Sequence, residues 1–508
     1  MWTLVPSYKC CRGVGCFGPC PRHLPLQYCA VDAWAGEQIA TQAKELMNAR
    51  GMPWKVYTEH AFLAYNFCLK SEWEGINVDL TVVKNLEKIL KEEKNKLFPD
   101  TNGEYERFNP KSTKQVVEWF ASNEVKLKDT TKETIQQLLE KRIFDGYHFN
   151  TLQELQNDES TLLTPVDQAL YDLFTYKDLG KGGKAWFDPK YFGSDGKLHP
   201  RCIYTGASTM RFSYSSPNFQ NVAKRSWGKQ IRKAIIPPKG MQFVETDCRQ
   251  LELRICLFLA GFDLSKLRED PFTWLVEQAD GAFDKSAEDT HRTPRDLAKM
   301  ASHLTNYGGG LDLLDPVELQ FSHVKRQIEN GSLLIYPDWI YDNKIVCLNG
   351  RRLAQELYKN WTEESRAKAL HIQQTYLNSV PIQQWHRKLL NKTPDTFVKT
   401  QWGSYLELLE KTTMDNARVK IAKLGQGGGA EYVQGHQIYF LQNCMKPDTQ
   451  MMMQIHDALL FAVPKDWNVT QIKQFLEPLS EVESHRYPGL KVPWSAEYGP
   501  NWGEMTKI

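Results

Sequence analysis

The chain has 508 residues, of which 41% are hydrophobic, 12% aromatic and 24% charged, a globular composition long enough for two or more subdomains and unlike that of disordered or fibrous chains. No apolar run of 18 or more residues is present to span a membrane, the first thirty residues lack the apolar block of a secretory signal, and eleven scattered cysteines form no small-scaffold disulfide framework; a soluble protein of a reducing compartment is expected. The formal net charge is only +2, yet residues 196–244 hold nine Lys or Arg and no Asp or Glu, and run directly into TDCRQLELR. Such segregation offers a basic surface to a polyanion, and nucleic acid is the expected partner.

Cys10, Cys11, Cys16, Cys20 and His23 fall within fourteen residues, close enough for Cys10, Cys16, Cys20 and His23 to surround a zinc ion. Without paired Cys-x-x-Cys knuckles, a reduced, irregular segment is the favoured reading. VYTEHAFLAYNFCLKSEWEG at 56–75 and DLTVVKNLEKILKEEKNKL at 79–97 repeat apolar residues at three- and four-residue intervals, which predicts two helices, the second capped by Asp79. From 100 to 195 the pattern weakens around helical pieces such as KETIQQLLEKRI, which suits a helical arm with a mobile tip, and GKGGK at 180–184 reads as a turn because it follows no strand. MQFVETD then predicts a short strand ending at Asp247, with LELRICLFLAG as an apolar helix behind it; a carboxylate thus sits at a strand-to-helix corner. The aromatic stretch at about 312–350 reads as an insertion, and MMMQIH with ALLFAVP predicts a hairpin presenting Asp457 at its tip.

A helix beginning near Arg295 places Arg295, Lys299, His303 and Tyr307 at four-residue steps, a slowly drifting stripe roughly 18 Å long. Arg and Lys can clamp a phosphate chain while His and Tyr offer flat faces to a base or sugar. The blander alternative is a surface helix with two solvated cations and a packed Tyr.

The order of these motifs resembles the family A DNA polymerases, the group typified by bacterial DNA polymerase I and many phage replicative enzymes. TDCRQLELR is similar to their first palm motif, RDLAKMASHLTNYGG to the finger-helix motif and QIHDALL to the second palm motif. EGINVD with FNPKSTKQ resembles the thumb region, MRFSYSSPNFQNV the primer-template segment, ARVKIAKLGQGG a palm helix and EYGPNW the C-terminal end. The resemblance implies a multidomain α+β right-hand fold with an antiparallel-sheet palm, helical fingers and a helical thumb. Its expected divisions are an exonuclease-like remnant at 1–50, thumb at 51–180, palm at 181–264, fingers at 265–410 and the second part of the palm at 411–508.

It further implies template-directed addition of deoxynucleotides to a primer 3′ end. Asp247 and Asp457 would hold two Mg²⁺ ions, one lowering the pKa of the primer hydroxyl and one, with the backbone carbonyl next to Asp247, binding the triphosphate. Lys299 joins them as a catalytic residue. Arg295, Lys299, His303, Tyr307, Glu252 and Gln250 form the nucleotide set, with Glu252 crowding the sugar 2′ position; Arg211, Asn218, Gln220, Lys224, Arg418, Gln426 and His456 form the DNA set, and Arg254, on an apolar helix, requires a buried partner. For these side chains, helix-end charge effects, ion pairs and turn hydrogen bonds are the structural alternatives.

Departures from the family pattern also stand out. His303 replaces the usual Phe or Tyr, Phe272 stands where many members have His in an Asp-x-His element, Cys248 replaces a common Tyr, Ala422 a frequent Asn, and Ala458 the Glu that usually follows the second aspartate. QYCAVDAWAGEQIA resembles the last exonuclease motif through Tyr28 and Asp32, but no acidic residue precedes Asp32, so no proofreading by this chain is expected and the helix from Ala33 to Asn48 should pack against palm or thumb. The implied partners are primer-template DNA and deoxynucleoside triphosphates, with a separate exonuclease subunit or processivity factor left open, no membrane, and the cytoplasm of a bacterium or phage-infected host as location. A single-subunit phage-type RNA polymerase and a non-catalytic DNA-binding relative are the alternatives.

Overall fold

The computed structural model describes residues 25–49, 54–101, 104–132, 163–180, 186–222, 227–267, 270–279, 294–307, 363–390, 397–408, 413–481 and 486–508, with a few isolated positions between them. The expected zinc ligands Cys10, Cys16, Cys20 and His23, the GKGGK turn beyond Gly180 and nearly all of the 312–350 insertion lie outside the described residues. In chain order come α1 (Pro25–Ala49), α2 (Phe62–Glu74), α3 (Leu80–Leu97), α4 (Thr113–Ser122) and α5 (Pro165–Gly180), then the short strands β1 (Arg201–Ile203) and β2 (Ser213–Ser215). Strand β3 (Met241–Cys248) is followed by α6 (Leu251–Leu259), α7 (Pro271–Gln278), α8 (Pro294–Asn306), α9 (Glu363–Ser379), α10 (Ile382–Leu390) and α11 (Thr413–Asn443). The chain ends with β4 (Gln450–Ile455), β5 (Ala458–Pro464), α12 (Val469–Glu481), β6 (Trp494–Asn501) and β7 (Glu504–Lys507).

β3 lies at the centre of the main sheet, whose order is β4-β5-β3-β6-β7 with every neighbour antiparallel. Residues 242–246 are buried without a break, so both faces are covered and the usual in-out alternation of a one-sided strand is absent. The predicted strand, the helix behind it and the β4-β5 hairpin all form. Asp79 caps α3 as expected, accepting from the backbone N–H groups of Thr81 at 2.8 Å and Val82 at 3.2 Å.

Three apolar clusters organise the described chain. One packs the sheet against α2, α3 and α11, a second joins α6 to α10 with the 397–407 hairpin, and a third gathers Phe98, Phe108, Phe120 and Leu173 around α4 and α5. The helix expected over Ala33–Asn48 is present within α1, but it does not pack as expected: Trp34, Ile39 and Leu46 are exposed. At about 100° per residue, Trp34 points some 120–140° away from the other two, so they form no common apolar face to bury. The side chains of Tyr28 and Asp32 lie outside the described residues.

The basic segment is also less of a free surface than its composition suggests. Arg232 is buried, with its guanidinium 3.8 Å from the Trp502 ring centroid and bonded to the Val222 carbonyl. Lys233 pairs with Glu504 at 2.7 Å, and Lys197 donates to the Glu74 carbonyl at 2.9 Å. Several of its cations therefore fasten this segment to its neighbours.

The long helix α11 runs through the middle of the molecule and approaches α6 closely because of its glycines. A Cβ on Gly428 would come 3.1 Å from Ile255 Cγ2 and from the Tyr487 hydroxyl, and one on Gly429 would come 3.2 Å from Leu251 Cδ2. Gly428→Val should therefore force α6 away from α11 and lower unfolding stability by about 1–3 kcal/mol, the usual cost of overpacking. Chemical denaturation measures this; an unchanged stability would mean that the two helices are not held at that distance.

Candidate active site

The pairing of β3 with β5 brings the two predicted aspartates together. Asp247 faces Ala458 across the ladder, and the Cys248 N–H donates to the Asp457 carbonyl at 3.3 Å. On the other edge, Ser495 lies opposite Asp247 and its hydroxyl donates to the Asp247 carbonyl at 3.2 Å. Each aspartate has a non-glycine residue in the left-handed region nearby: His456, at φ 54°, adjoins Asp457, and Gln250, at φ 49°, lies three residues after Asp247. Such residues are uncommon and concentrate where a turn must aim a side chain. Here one turn starts α6 and the other closes the hairpin. The His456 ring donates to the Gln220 carbonyl at 3.2 Å, tying the hairpin tip to the primer-template-like segment.

Arg211 reaches between the acids. Its Nη2 donates to Glu252 Oε1 at 2.7 Å and lies 3.4 Å from Asp457 Oδ1. The other oxygen of Glu252 accepts from the Tyr307 hydroxyl, and Gln426 on α11 lies within hydrogen-bonding reach of the same tyrosine. Thus Arg211, Glu252, Asp457, Tyr307 and Gln426, scattered over nearly 250 residues of sequence, form one network. Lys224 is not free: its Nζ donates to Glu245 Oε1 at 2.6 Å, and Glu245 also accepts from Trp502 Nε1 at 2.5 Å. Asn218 and Gln220 make local bonds, Asn218 Oδ1 accepting the Gln220 N–H at 3.1 Å and Gln220 Nε2 donating to the Phe212 carbonyl at 2.5 Å. Arg418 belongs to α11, but its side chain lies outside the described residues.

The stripe on α8 faces this network. Arg295 is bonded through Nε and Nη2 to the two oxygens of Asp270, at 2.6 and 3.1 Å, and its guanidinium lies 5.3 Å from the Phe272 ring centroid. His303 packs on the same ring at 5.9 Å. Two departures from the family pattern are therefore in contact, a Phe on α7 and a His on α8 where the opposite arrangement is usual. Lys299 is exposed between them and Tyr307 closes on Glu252. Arg254 is buried, as an arginine on an apolar helix must be if partnered, and the charge of Asp270 works against the fall in its pKa that burial causes. Glu245 and Asp270 were not singled out in the sequence; the spacing of a lone acid says nothing of a partner many residues away.

Burial pushes Asp247 up to about 6 from the ordinary 3.8; Lys224 pulls the other way, and the negative charges of Asp457, Glu245 and Glu497 add to the rise. Asp457 is raised too, again chiefly by burial, with Arg211 opposing and Glu252 adding. This uncompensated negative charge on oxygen donors suits a hard divalent cation, and Mg²⁺ commonly takes one or two carboxylates with the remainder from substrate and water. Among the described residues no group of three or more His, Cys, Asp or Glu is placed to hold a metal, so two carboxylates are what this site offers.

Between the ordinary carboxylate value and about 6 the folded chain keeps a proton on Asp247 that the unfolded chain has lost, so stability falls as pH rises through that window. With a chelator present, Asp247→Asn should therefore be more stable than wild type near neutral pH by about 1–3 kcal/mol, and the advantage should vanish below the window. Thermal melts at both ends of the range measure it. An equal or lower midpoint for the variant at neutral pH would mean that the carboxylate is not held against its preference.

The family model described as DNA polymerase family A matches residues 80–320. DNA polymerase I of Chloroflexus aurantiacus is 25% identical over 359 residues, covering 66% of this chain and 32% of that protein. The thermostable DNA polymerase I of Thermus aquaticus is 25% identical over 340 residues, covering 64% of this chain and 35% of that protein. DNA polymerase I of Synechocystis is 24% identical over 519 residues, covering 95% of this chain and 46% of that protein. The chain thus spans about a third to just under half of the length of these relatives. The POL domain of Pol1 from M. smegmatis, in complex with DNA primer-template and dNTP, has a similar fold, with a TM-score of 0.58 over 88% of this chain and 71% of that one at 17% identity. The family match over residues 80–320 and these relatives agree with the ordered motifs that meet around Asp247 and Asp457: this chain is similar to DNA polymerase family A.

Proposed function

We propose that the chain is a template-directed DNA polymerase that extends a primer 3′ end with deoxynucleotides. The observation that carries this reading is the convergence of two half-buried aspartates with the Arg295-to-Tyr307 stripe through Glu252. The sheet and its covering helices would serve as palm, the α7 to α10 group as fingers and the α3 to α5 group as thumb. Primer-template DNA and deoxynucleoside triphosphates are the partners, in line with the molecules bound to the similar POL domain.

Asp247 and Asp457 would hold Mg²⁺, two ions in this reading, which when bound supply positive charge to the attacking and leaving oxygens. Arg295 and Lys299 would grip the triphosphate, since a guanidinium fork and an ammonium both suit phosphate oxygens. His303 and Phe272 would form the flat wall beside the nucleotide. Glu252, held from both sides by Arg211 and Tyr307, would fill the space at the sugar 2′ carbon. When DNA enters, Arg211, Gln426 and His456 can turn to acceptors that every base pair presents in the minor groove, which tests pair shape without reading sequence. The fixed Glu252 favours a DNA polymerase over an RNA polymerase, and retention of both aspartates favours an enzyme over a non-catalytic relative.

Replacing Asp247 or Asp457 with Ala should abolish primer extension while leaving primer-template affinity within a few-fold of wild type. Gel-based extension and fluorescence-anisotropy binding measure the two quantities; near wild-type extension by either variant would remove that residue from the centre.

Sugar selection gives a separate test. Glu252→Ala should raise ribonucleotide use relative to deoxynucleotide use by about ten-fold or more, since a site selects through the group that fills its space. Single-nucleotide incorporation kinetics give the ratio, and an unchanged ratio would exclude Glu252 from that role.

A further inference from the structure

The bidentate pair between Arg295 and Asp270 engages the same guanidinium edge that a phosphate would need. Nε and Nη2 are each given to one carboxylate oxygen, at 2.6 and 3.1 Å, and carboxylate and phosphate compete for that fork because both match its spacing. We propose that Asp270 is a positioning residue that sets nucleotide affinity by holding Arg295 in the nucleotide-free site and yielding it to the incoming triphosphate. This rests on the reading of Arg295 as a triphosphate contact.

The two partners differ in freedom. Asp270 is fixed as the N-cap of α7: its Oδ2 accepts from the Thr273 N–H at 3.3 Å and hydroxyl at 2.6 Å, and its Oδ1 lies 3.4 Å from Gln250 Nε2. Arg295 has a side chain that is 45% exposed and can swing about its long stem. Its guanidinium also rests over Phe272, so the ring keeps it near the site after the carboxylate lets go. Nor would Asp270 then be left without opposite charge, because the buried Arg254 on α6 also feels it. The geometry is that of a place-holder: an anion fixed on the scaffold, a cation able to leave it, and a second cation that remains.

The placement distinguishes this role from that of a plain helix cap. A cap needs only an oxygen for the first N–H groups of α7, and Asn or Ser supplies one as well as Asp does. Only the charged group competes for Arg295.

Asp270→Asn and Asp270→Ser should both lower the KM for deoxynucleotide by about two- to five-fold, the range expected on releasing a partly exposed ion pair, and the change should fall on KM and not on kcat. In an Arg295→Ala background, which alone should raise KM, the same Asp270 substitutions should have no further effect on KM. Steady-state incorporation of a single nucleotide on the full chain with primer-template and Mg²⁺ reads all of these. If the Asp270 variants leave KM unchanged or raise it while Arg295→Ala still raises it, the competition is refuted and Arg295 keeps its place as a phosphate contact. If Arg295→Ala leaves KM unchanged, the competition falls together with that reading. Melting midpoints for the Asn and Ser variants near wild type confirm that α7 is still capped; agreement between the two ties the effect to charge, and opposite KM shifts would refute it.

Discussion

Two carboxylates are fixed at one end of the same strand pair, where burial opposes the ionisation of both and the charge of Asp457 adds to the rise at Asp247, and the organisation of this molecule follows from keeping them there. The β3-β5 ladder sets Asp247 opposite Ala458, beside Asp457, and the left-handed turns at Gln250 and His456 leave the chain little choice of where the acids lie. Both carboxyls are raised by burial. Removing water from acids favours the proton-bound form, and it strengthens the Coulomb attraction of the ionised form for a cation that enters. The surroundings supply cations from the protein itself: Arg211 to Asp457 and Glu252, Lys224 to Glu245, and Arg295 to Asp270. The neighbouring acids Glu252, Glu245 and Asp270 are thus paired within the protein, while burial and neighbouring negative charge still outweigh the opposing cations at the two aspartates.

The frame that resists this strain lies on α11. Glu431, fully buried, accepts from Thr400 at 3.0 Å, Ser404 at 2.6 Å and Tyr487 at 2.8 Å, while Gln434 bonds His60 at 2.6 Å and the Met210 carbonyl at 2.8 Å. His60 is driven down to about 3 by burial and by the neighbouring Arg486, so it serves as a neutral hydrogen-bonding ring. These bonds join four distant segments to one helix. Buried polar networks that are satisfied in this way fix a unique arrangement better than apolar contact alone. The glycines at 428 and 429 bring α6 against the same helix, so the element carrying Glu252 is positioned by packing as well as by its turn.

Local features were legible in the sequence and long-range ones were not. The strand ending at Asp247, the hairpin at Asp457, the cap at Asp79 and the four-residue stripe from Arg295 are each written in neighbouring residues, through periodicity or turn chemistry. Arg232 illustrates the limit: composition made it part of a basic surface, whereas its position under Trp502 depends on a ring some 270 residues away. Phe272 and His303 stood out separately as departures, and only the fold reveals that they touch. The helix over Ala33–Asn48 was correct as an element and wrong as a packed one, because helical spacing foretells a helix but not whether anything lies against it.

The central claim is that Asp247 and Asp457 form one cation-requiring centre. Titrating Mn²⁺ by electron paramagnetic resonance into the chain with primer-template and a non-extendable deoxynucleotide tests it most directly. Tight binding that weakens by about ten-fold or more on Asp457→Asn, and likewise on Asp247→Asn, is the result expected when a carboxylate ligand is lost. Equal Mn²⁺ affinity in wild type and both variants would contradict the account, since the ion would then be held by the substrates alone.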